Sequence, residues 1–273
     1  MAASTEECGA GRRLNSVANL INNYQRQGFV IVPALFADAE MDAIEPIILR
    51  AHQAWIEHHQ QHYQQTAVNS AGLSHRNFLS DDERLTLFQF IADDRLVGIL
   101  ADIVAGPLFF ANTQLFFNPA NAQQKNYWHR DIQYGDFSMA QQQQMLAEQI
   151  LLHFRLPLRD ETGIQLIPGT HRRWDNEQEY RVRMGAAGYS VSDDLPAAET
   201  IRLRRGDLLV FSAGMIHRGL YSDDRLAFDI CCGGHSPQFS SQGDLDCFPD
   251  TAMLEKISNR SLYTNAINAI LES

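Results

Sequence analysis

His129 and Asp131 stand two apart in the run YWHRDIQY, and on an extended strand residues so spaced leave from the same face. An imidazole nitrogen and a carboxylate oxygen on a common face can chelate one ion. Two histidines with one carboxylate suit Fe(II) and leave metal positions open for a bidentate co-substrate and O2. Such a site requires a third ligand. His217, in GDLLVFSAGMIHRG, follows a strand and a glycine-containing turn, so a returning strand could bring it beside the first pair. A His-x-Asp alone is a common pattern and decides nothing without its surroundings.

The surroundings are informative. WHRD at 128–131, GIQLIPGTHRRW at 163–174, GDLLVF at 206–211 and His217 followed by Arg225 together resemble the phytanoyl-CoA dioxygenase family of Fe(II)/2-oxoglutarate-dependent oxygenases. The resemblance covers residues 108–235 well. It implies a His129, Asp131 and His217 triad that is both metal-binding and catalytic, with Fe(II), 2-oxoglutarate and O2 as cofactor and co-substrates. It further implies that Arg225, eight positions after His217, binds the far carboxylate of 2-oxoglutarate. That fits the residue, because a guanidinium beside the apolar strand RLAFDICC needs a carboxylate to pair with; the alternative is a surface cap on the Asp223/Asp224 turn. Members often carry a hydroxyl residue two positions after this arginine or after the histidine, whereas this chain has Ala227 and Gly219 there.

Gln114 and Asn118 lie four apart on the preceding strand, where relatives place amides that touch 2-oxoglutarate and substrate. The alternative for each is a strand-end amide satisfying local backbone. His171 of the PGTH segment shapes a loop in the family and is not an iron ligand. His153 and Arg155 share one face of ILLHFRLPL, and alternation leaves open whether that face is inside. His58, His59 and His62 lie among glutamines without a carboxylate or cysteine partner, which reads as a solvated helix face. The expected reaction is hydroxylation of an unactivated C–H bond with release of succinate and CO2. Asp131 favours this over halogenation, which in relatives needs a small residue at that position.

The elements that must position these residues change character along the chain. Leu14, Val17, Ala18, Ile21 and Tyr24 recur at helical spacing and stop at Gly28, and Phe29–Pro33 reads as a short strand. A helix from Asp38 as N-cap toward His58, and two more over 81–90 and 93–105, complete a helical first third ended by Gly106-Pro107. Strands then follow at Leu108–Phe117, Gln149–Leu158, Ile201–Leu203, Leu208–Phe211 and Leu226–Cys232. Turn signals stand at Asn118-Pro119, Pro168-Gly169, Arg205-Gly206-Asp207 and Ser222-Asp223-Asp224. Many short strands without a fixed repeat predict a mainly β fold with α elements: a double-stranded β-helix (jelly-roll, cupin-like) core with N-terminal helices and a C-terminal helix within 251–271. The expected organisation is a flexible tail over 1–13 and a single domain over 14–273, its β core at about 108–235.

A chain of 273 residues suits one large core, and a net charge of -11 disfavours nucleic acid or an anionic membrane, which need a basic stripe. Cys8, Cys231, Cys232 and Cys247 form no CxxC pair and read as reduced thiols of a cytoplasmic protein. No membrane span or signal-peptide core is visible. The partner expected is a small molecule, and the chain a monomer or homodimer. Arg76, Arg130, Arg172 and Arg173 near the motifs suggest an anionic substrate; the alternative is surface arginines paired with Asp and Glu. Two rival readings are a cupin-type iron dioxygenase that does not use 2-oxoglutarate and a catalytically silent binding protein of the same fold.

Overall fold

The computed structural model describes residues 19–135, 137–148, 151–221, 225–235 and 243–273. The tail over 1–13, Cys8, the start of the first helix and the Ser222-Asp223-Asp224 turn lie outside the described residues.

The chain opens with helix α1 (19–27) and strand β1 (Phe29–Val32). Gly28 makes the corner between them with φ 85°, a conformation that favours glycine, and a Cβ there would stand 2.5 Å from His171 Nδ1. Helix α2 (Asp38–His58) buries Met41, Ile44, Ile48, Ala51 and Trp55 at helical spacing. Its N-cap is Ala37, not Asp38. The Ala37 N–H donates to the Glu40 carboxylate at 2.8 Å, which frees Asp38 for the first turn, where negative charge suits the helix dipole. Short helix α3 (Gln60–Gln65) and strand β2 (Asn69–Ala71) follow. Helix α4 (Asp81–Ile91) starts from a reciprocal Ser80–Glu83 capping box, and α5 (Asp94–Ile103) from Asp93.

The β region comprises β3 (Phe109–Phe117), β4 (Leu151–Pro157), β5 (Glu161–Leu166), β6 (Glu199–Leu203), β7 (Leu208–Ser212), β8 (His217–Gly219) and β9 (Leu226–Gly233). One antiparallel sheet runs β1-β7-β4-β9-β3-β2, and a second runs β6-β5-β8. These are the two sheets of a jelly roll. Two helices the sequence did not suggest interrupt the strands: α6 (Met139–Glu148) and α7 (Glu177–Arg183). Among its described residues α6 buries only Met145, so it carries almost no periodic apolar signal to read. Helices α8 (Thr251–Leu254) and α9 (Ser261–Leu271) close the chain.

Both faces of the large sheet are covered. Its outer face, with Leu115, Phe117, Phe154, Leu156, Phe228 and Ile230, packs on the helices through Ile44, Ile48, Phe88 and Leu100. Its inner face meets the small sheet through a second cluster that includes Phe29, Ile164, Leu166, Leu209 and Phe211. The apolar contact between the sheets sits at one end, and the polar residues of β3, β4 and β9 are left at the other. No helix among the described residues is long and apolar enough to cross a membrane.

Candidate metal centre

The segment carrying His129 and Asp131 is held from behind. Trp128 is fully buried against Ile167, Val182, Leu195 and Ile216, and its indole N–H donates to the Asp193 carbonyl at 2.9 Å. Arg130 is also fully buried. Its guanidinium donates to Asp175 at 2.9 Å, to the Thr170 carbonyl at 2.7 Å, to the Arg173 carbonyl at 3.0 Å and to the Gly214 carbonyl. With Trp128 and Arg130 turned inward, His129 and Asp131 face the other way.

They do so without the strand that the spacing suggested. His129 forms a single antiparallel bridge with His217, each backbone N–H donating to the other's carbonyl at 2.9 Å. Asp131 begins a 3-10 turn over Asp131–Tyr134, and its N–H donates to the Ala213 carbonyl at 3.1 Å. The PGTH turn locks the same strand. Thr170 Oγ1 donates to the Ile167 carbonyl at 2.7 Å and accepts the Ile216 N–H at 3.0 Å.

Donor atoms of His129, Asp131 and His217 lie within 4.8 Å of one another. Asp131 Oδ1 is 3.5 Å from the Nε2 of each histidine, and the two imidazole centroids are 4.1 Å apart. Both tautomers are set by neighbouring backbone. His129 Nδ1 lies 3.2 Å from the Tyr127 carbonyl and His217 Nδ1 3.0 Å from the Met215 carbonyl. A carbonyl only accepts, so each Nδ1 carries the proton and each Nε2 lone pair points toward Asp131. Burial pushes His217 down to about 3 and lowers His129, which keeps both neutral. Burial raises Asp131, but His217, His153 and His129 outweigh it and hold the carboxyl below its ordinary range. Two neutral imidazoles and a carboxylate are the protonation states in which these groups ligate metal, so the three can hold a divalent ion.

The triad opens into a cavity of about 760 Å³ whose lining includes Gln114, Phe116, Tyr127, Tyr134, Tyr221 and Arg225. Arg225 is 5% exposed, donates to the Phe117 carbonyl at 3.3 Å, and leaves its Nε without a hydrogen-bond partner. Burial and the neighbouring Arg155 push its pKa down to about 10. A buried guanidinium with donors to spare fits an incoming carboxylate. Gln114 lines the cavity, whereas Asn118 lies beyond the end of β3 and does not.

The other predicted positions are also placed. His171 is buried against Gly28 and Tyr24, away from the triad. His58, His59 and His62 each satisfy Nδ1 locally, on the Ala54 and Trp55 carbonyls and on Thr66. None of Arg76, Arg130, Arg172 and Arg173 lines the cavity: Arg130 is tied as above, Arg76 pairs with Asp246 and Arg173 with Glu179. The basis for expecting an anionic substrate is therefore removed. His75, Asp244 and Asp246 form a second donor cluster, but Asp246 is already paired with Arg76, and Asp244 is exposed.

His153 and Arg155 are inside, 3% and 1% exposed. Sequence reasoning missed their partners. Asp229 is fully buried and accepts from Arg155 Nε at 2.8 Å and Nη2 at 3.0 Å. Glu161 is buried with neither carboxylate oxygen hydrogen-bonded; burial raises its pKa, while Arg155 and Arg225 act in the opposite sense. For Asp229 a signal existed: a lone acid in the apolar strand RLAFDICC has to be paired if it is inside.

Two histidines and a carboxylate converging on a jelly roll are a donor set that could hold one metal ion. Residues 24–223 match the phytanoyl-CoA dioxygenase family, and the chain belongs to it. Several solved structures share the fold. The non-heme alpha-ketoglutarate-dependent epimerase SnoN from nogalamycin biosynthesis aligns with TM-score 0.55 and 18% identity, over 81% of this chain and 81% of that chain. EctD from S. alaskensis with bound Fe gives 0.55 and 14%, over 80% and 76%. HygX from Streptomyces hygroscopicus with nickel and 2-oxoglutarate bound gives 0.53 and 14%, over 79% and 86%. No curated protein sequence matches significantly.

Proposed function

We propose that residues 14–273 form a single Fe(II)- and 2-oxoglutarate-dependent oxygenase domain that hydroxylates an unactivated C–H bond of a small molecule. The observation that carries this reading is the pairing, in one cavity, of the His129–Asp131–His217 donors with the buried, under-bonded Arg225. When bound, iron and 2-oxoglutarate supply the oxidising power, converting 2-oxoglutarate, O2 and R–H into succinate, CO2 and R–OH. His129, Asp131 and His217 would hold the iron, and the cavity beside them would receive co-substrate and O2. Arg225 pairs with the far carboxylate of 2-oxoglutarate, and Gln114 is the amide within reach of co-substrate or substrate. A dioxygenase without 2-oxoglutarate would have no use for Arg225, and a silent binding protein none for the three donors. SnoN, an epimerase on this fold, makes product analysis part of any assay.

Gly219 accounts for the absent hydroxyl side chain. A Cβ at this position would stand 2.7 Å from Arg225 Nη2, so the guanidinium fills the space a side chain would take. Tyr127, Tyr134 and Tyr221 line the same cavity, and of these Tyr221 lies beside the Arg225 guanidinium as a phenol available in place of that hydroxyl. Gly219→Ala is expected to displace the guanidinium and raise the 2-oxoglutarate requirement about tenfold or more. Initial rates against 2-oxoglutarate concentration, with unfolding temperature as control, check this; an unchanged requirement removes the anchor role. The described lining holds no lysine and no arginine besides Arg225, but includes the amides Asn69 and Asn112. A neutral, hydroxyl- or amide-bearing substrate suits such a wall. Its workplace is taken to be the cytoplasm, where Fe(II) and the free thiols of Cys231 and Cys232 stay reduced.

The deciding experiment is anaerobic titration of the apoprotein with Fe(II) and then 2-oxoglutarate, following the visible charge-transfer band of the chelate. In Arg225→Ala the band should need about a hundredfold more 2-oxoglutarate, the loss of a charged bidentate pair, with iron affinity nearly unchanged. Iron binding without any such band would transfer the chain to the dioxygenases that do not use 2-oxoglutarate.

A further inference from the structure

Asp131 presents its two oxygens to different partners. Oδ1 lies 3.5 Å from the Nε2 of both His129 and His217, whereas Oδ2 lies 2.7 Å from His153 Nε2. A carboxylate free to rotate can bind a metal through one oxygen or two, and the second mode uses a position that the co-substrates need. We infer that His153 is a positioning residue that holds Asp131 to one-oxygen ligation through Oδ1. The inference rests on the metal-site reading proposed above and extends it to a residue outside the triad.

The imidazole is well suited to this role. Asp131 Oδ2 can only accept, so His153 Nε2 carries the proton. On the far side His153 Nδ1 lies 3.1 Å from Asp229 Oδ2, and Asp229 is clamped by both arms of Arg155. The ring stacks on Phe211, centroids 4.7 Å apart and 13° from parallel, which fixes its plane. Asp131, His153, Asp229 and Arg155 thus form one chain, buried from His153 inward, from the metal ligand to a fixed cation, running across β4 and β9, where Arg155 is the register partner of Asp229. An apolar ring at 153 would fill the same volume but leave Asp131 Oδ2 without the donor that His153 gives it. Ligand-orienting neighbours of this kind typically change metal affinity by about 10- to 100-fold when removed.

Two conservative substitutions separate the arms of the imidazole. The amide nitrogen of glutamine reaches the place of Nε2 and keeps the bond to Asp131; that of asparagine stands near Nδ1 and keeps only the bond to Asp229. Co(II) binding to wild type, His153→Gln and His153→Asn, followed by calorimetry and by the visible d–d spectrum, tests the assignment with no turnover needed. His153→Gln should keep wild-type affinity within about threefold and the wild-type spectrum. His153→Asn should lose about 10- to 100-fold and shift the spectrum toward a higher coordination number. If both variants match wild type, or both lose affinity equally, the positioning role is wrong. Failure of wild type itself to bind Co(II) would instead overturn the metal site, and this inference with it.

Discussion

His129→Ala leaves a folded chain that no longer binds iron tightly and whose turnover falls to background. The substitution deletes one of the three donors that the described residues bring to the site, and a bound metal contributes several kcal/mol of transition-state stabilisation, so a loss of at least about a thousandfold is expected. The fold should survive because the imidazole is not what holds the strand. The bridge to His217 is made by backbone groups, and the anchors are Trp128 and Arg130 on either side, both fully buried. Iron content, succinate release and thermal unfolding of the variant, beside chelator-treated wild type, give three independent readings. Retained activity at wild-type iron content would remove His129 from the site.

Arg155→Ala should have the largest effect on stability. The guanidinium is the bidentate partner of Asp229, and both groups are withdrawn from water, at 1% and 0% exposure. Removing one member of a buried ion pair costs about 3–5 kcal/mol, because the remaining charge keeps its desolvation cost and loses its compensation. For a chain of this size that lowers the unfolding temperature by on the order of ten degrees. His153 should loosen as well, since Asp229 is its rear support. Combining Arg155→Met with Asp229→Asn removes the charge and keeps an acceptor for His153, and should recover much of the loss. A single variant that unfolds within about 1 kcal/mol of wild type would show that the pair is better hydrated than its burial implies.

What the sequence by itself determined was whatever depends on residue type and local spacing. The helical first third and the short strands after Gly106-Pro107 were legible because helix and strand periods and turn residues are local properties, whereas the grouping of His129, Asp131 and His217 was legible through the family resemblance of the segments that carry them. The buried Arg225 was legible for a related reason: it precedes a strand too apolar to be solvated on either face.

Tertiary structure decided the rest. Alternation puts His153 and Arg155 on one face of β4, opposite Leu152, Phe154 and Leu156, but does not say whether that polar face meets solvent or the interior of the barrel. Helices cover one side of the strand and the cavity closes the other, so six of its seven residues are buried. Asp229 and Glu161 became interior charges only when β9 and β5 were brought beside Arg155 and Arg225. Arg130 became a buried clamp only through Asp175 and three carbonyls distant in sequence, which is why its charge, read locally, pointed wrongly toward substrate. Asp131 reached the metal side from a 3-10 turn and not a strand, since its N–H was claimed by the Ala213 carbonyl of another segment. Each of these outcomes depends on contacts between residues far apart in the chain, which periodicity and spacing do not encode.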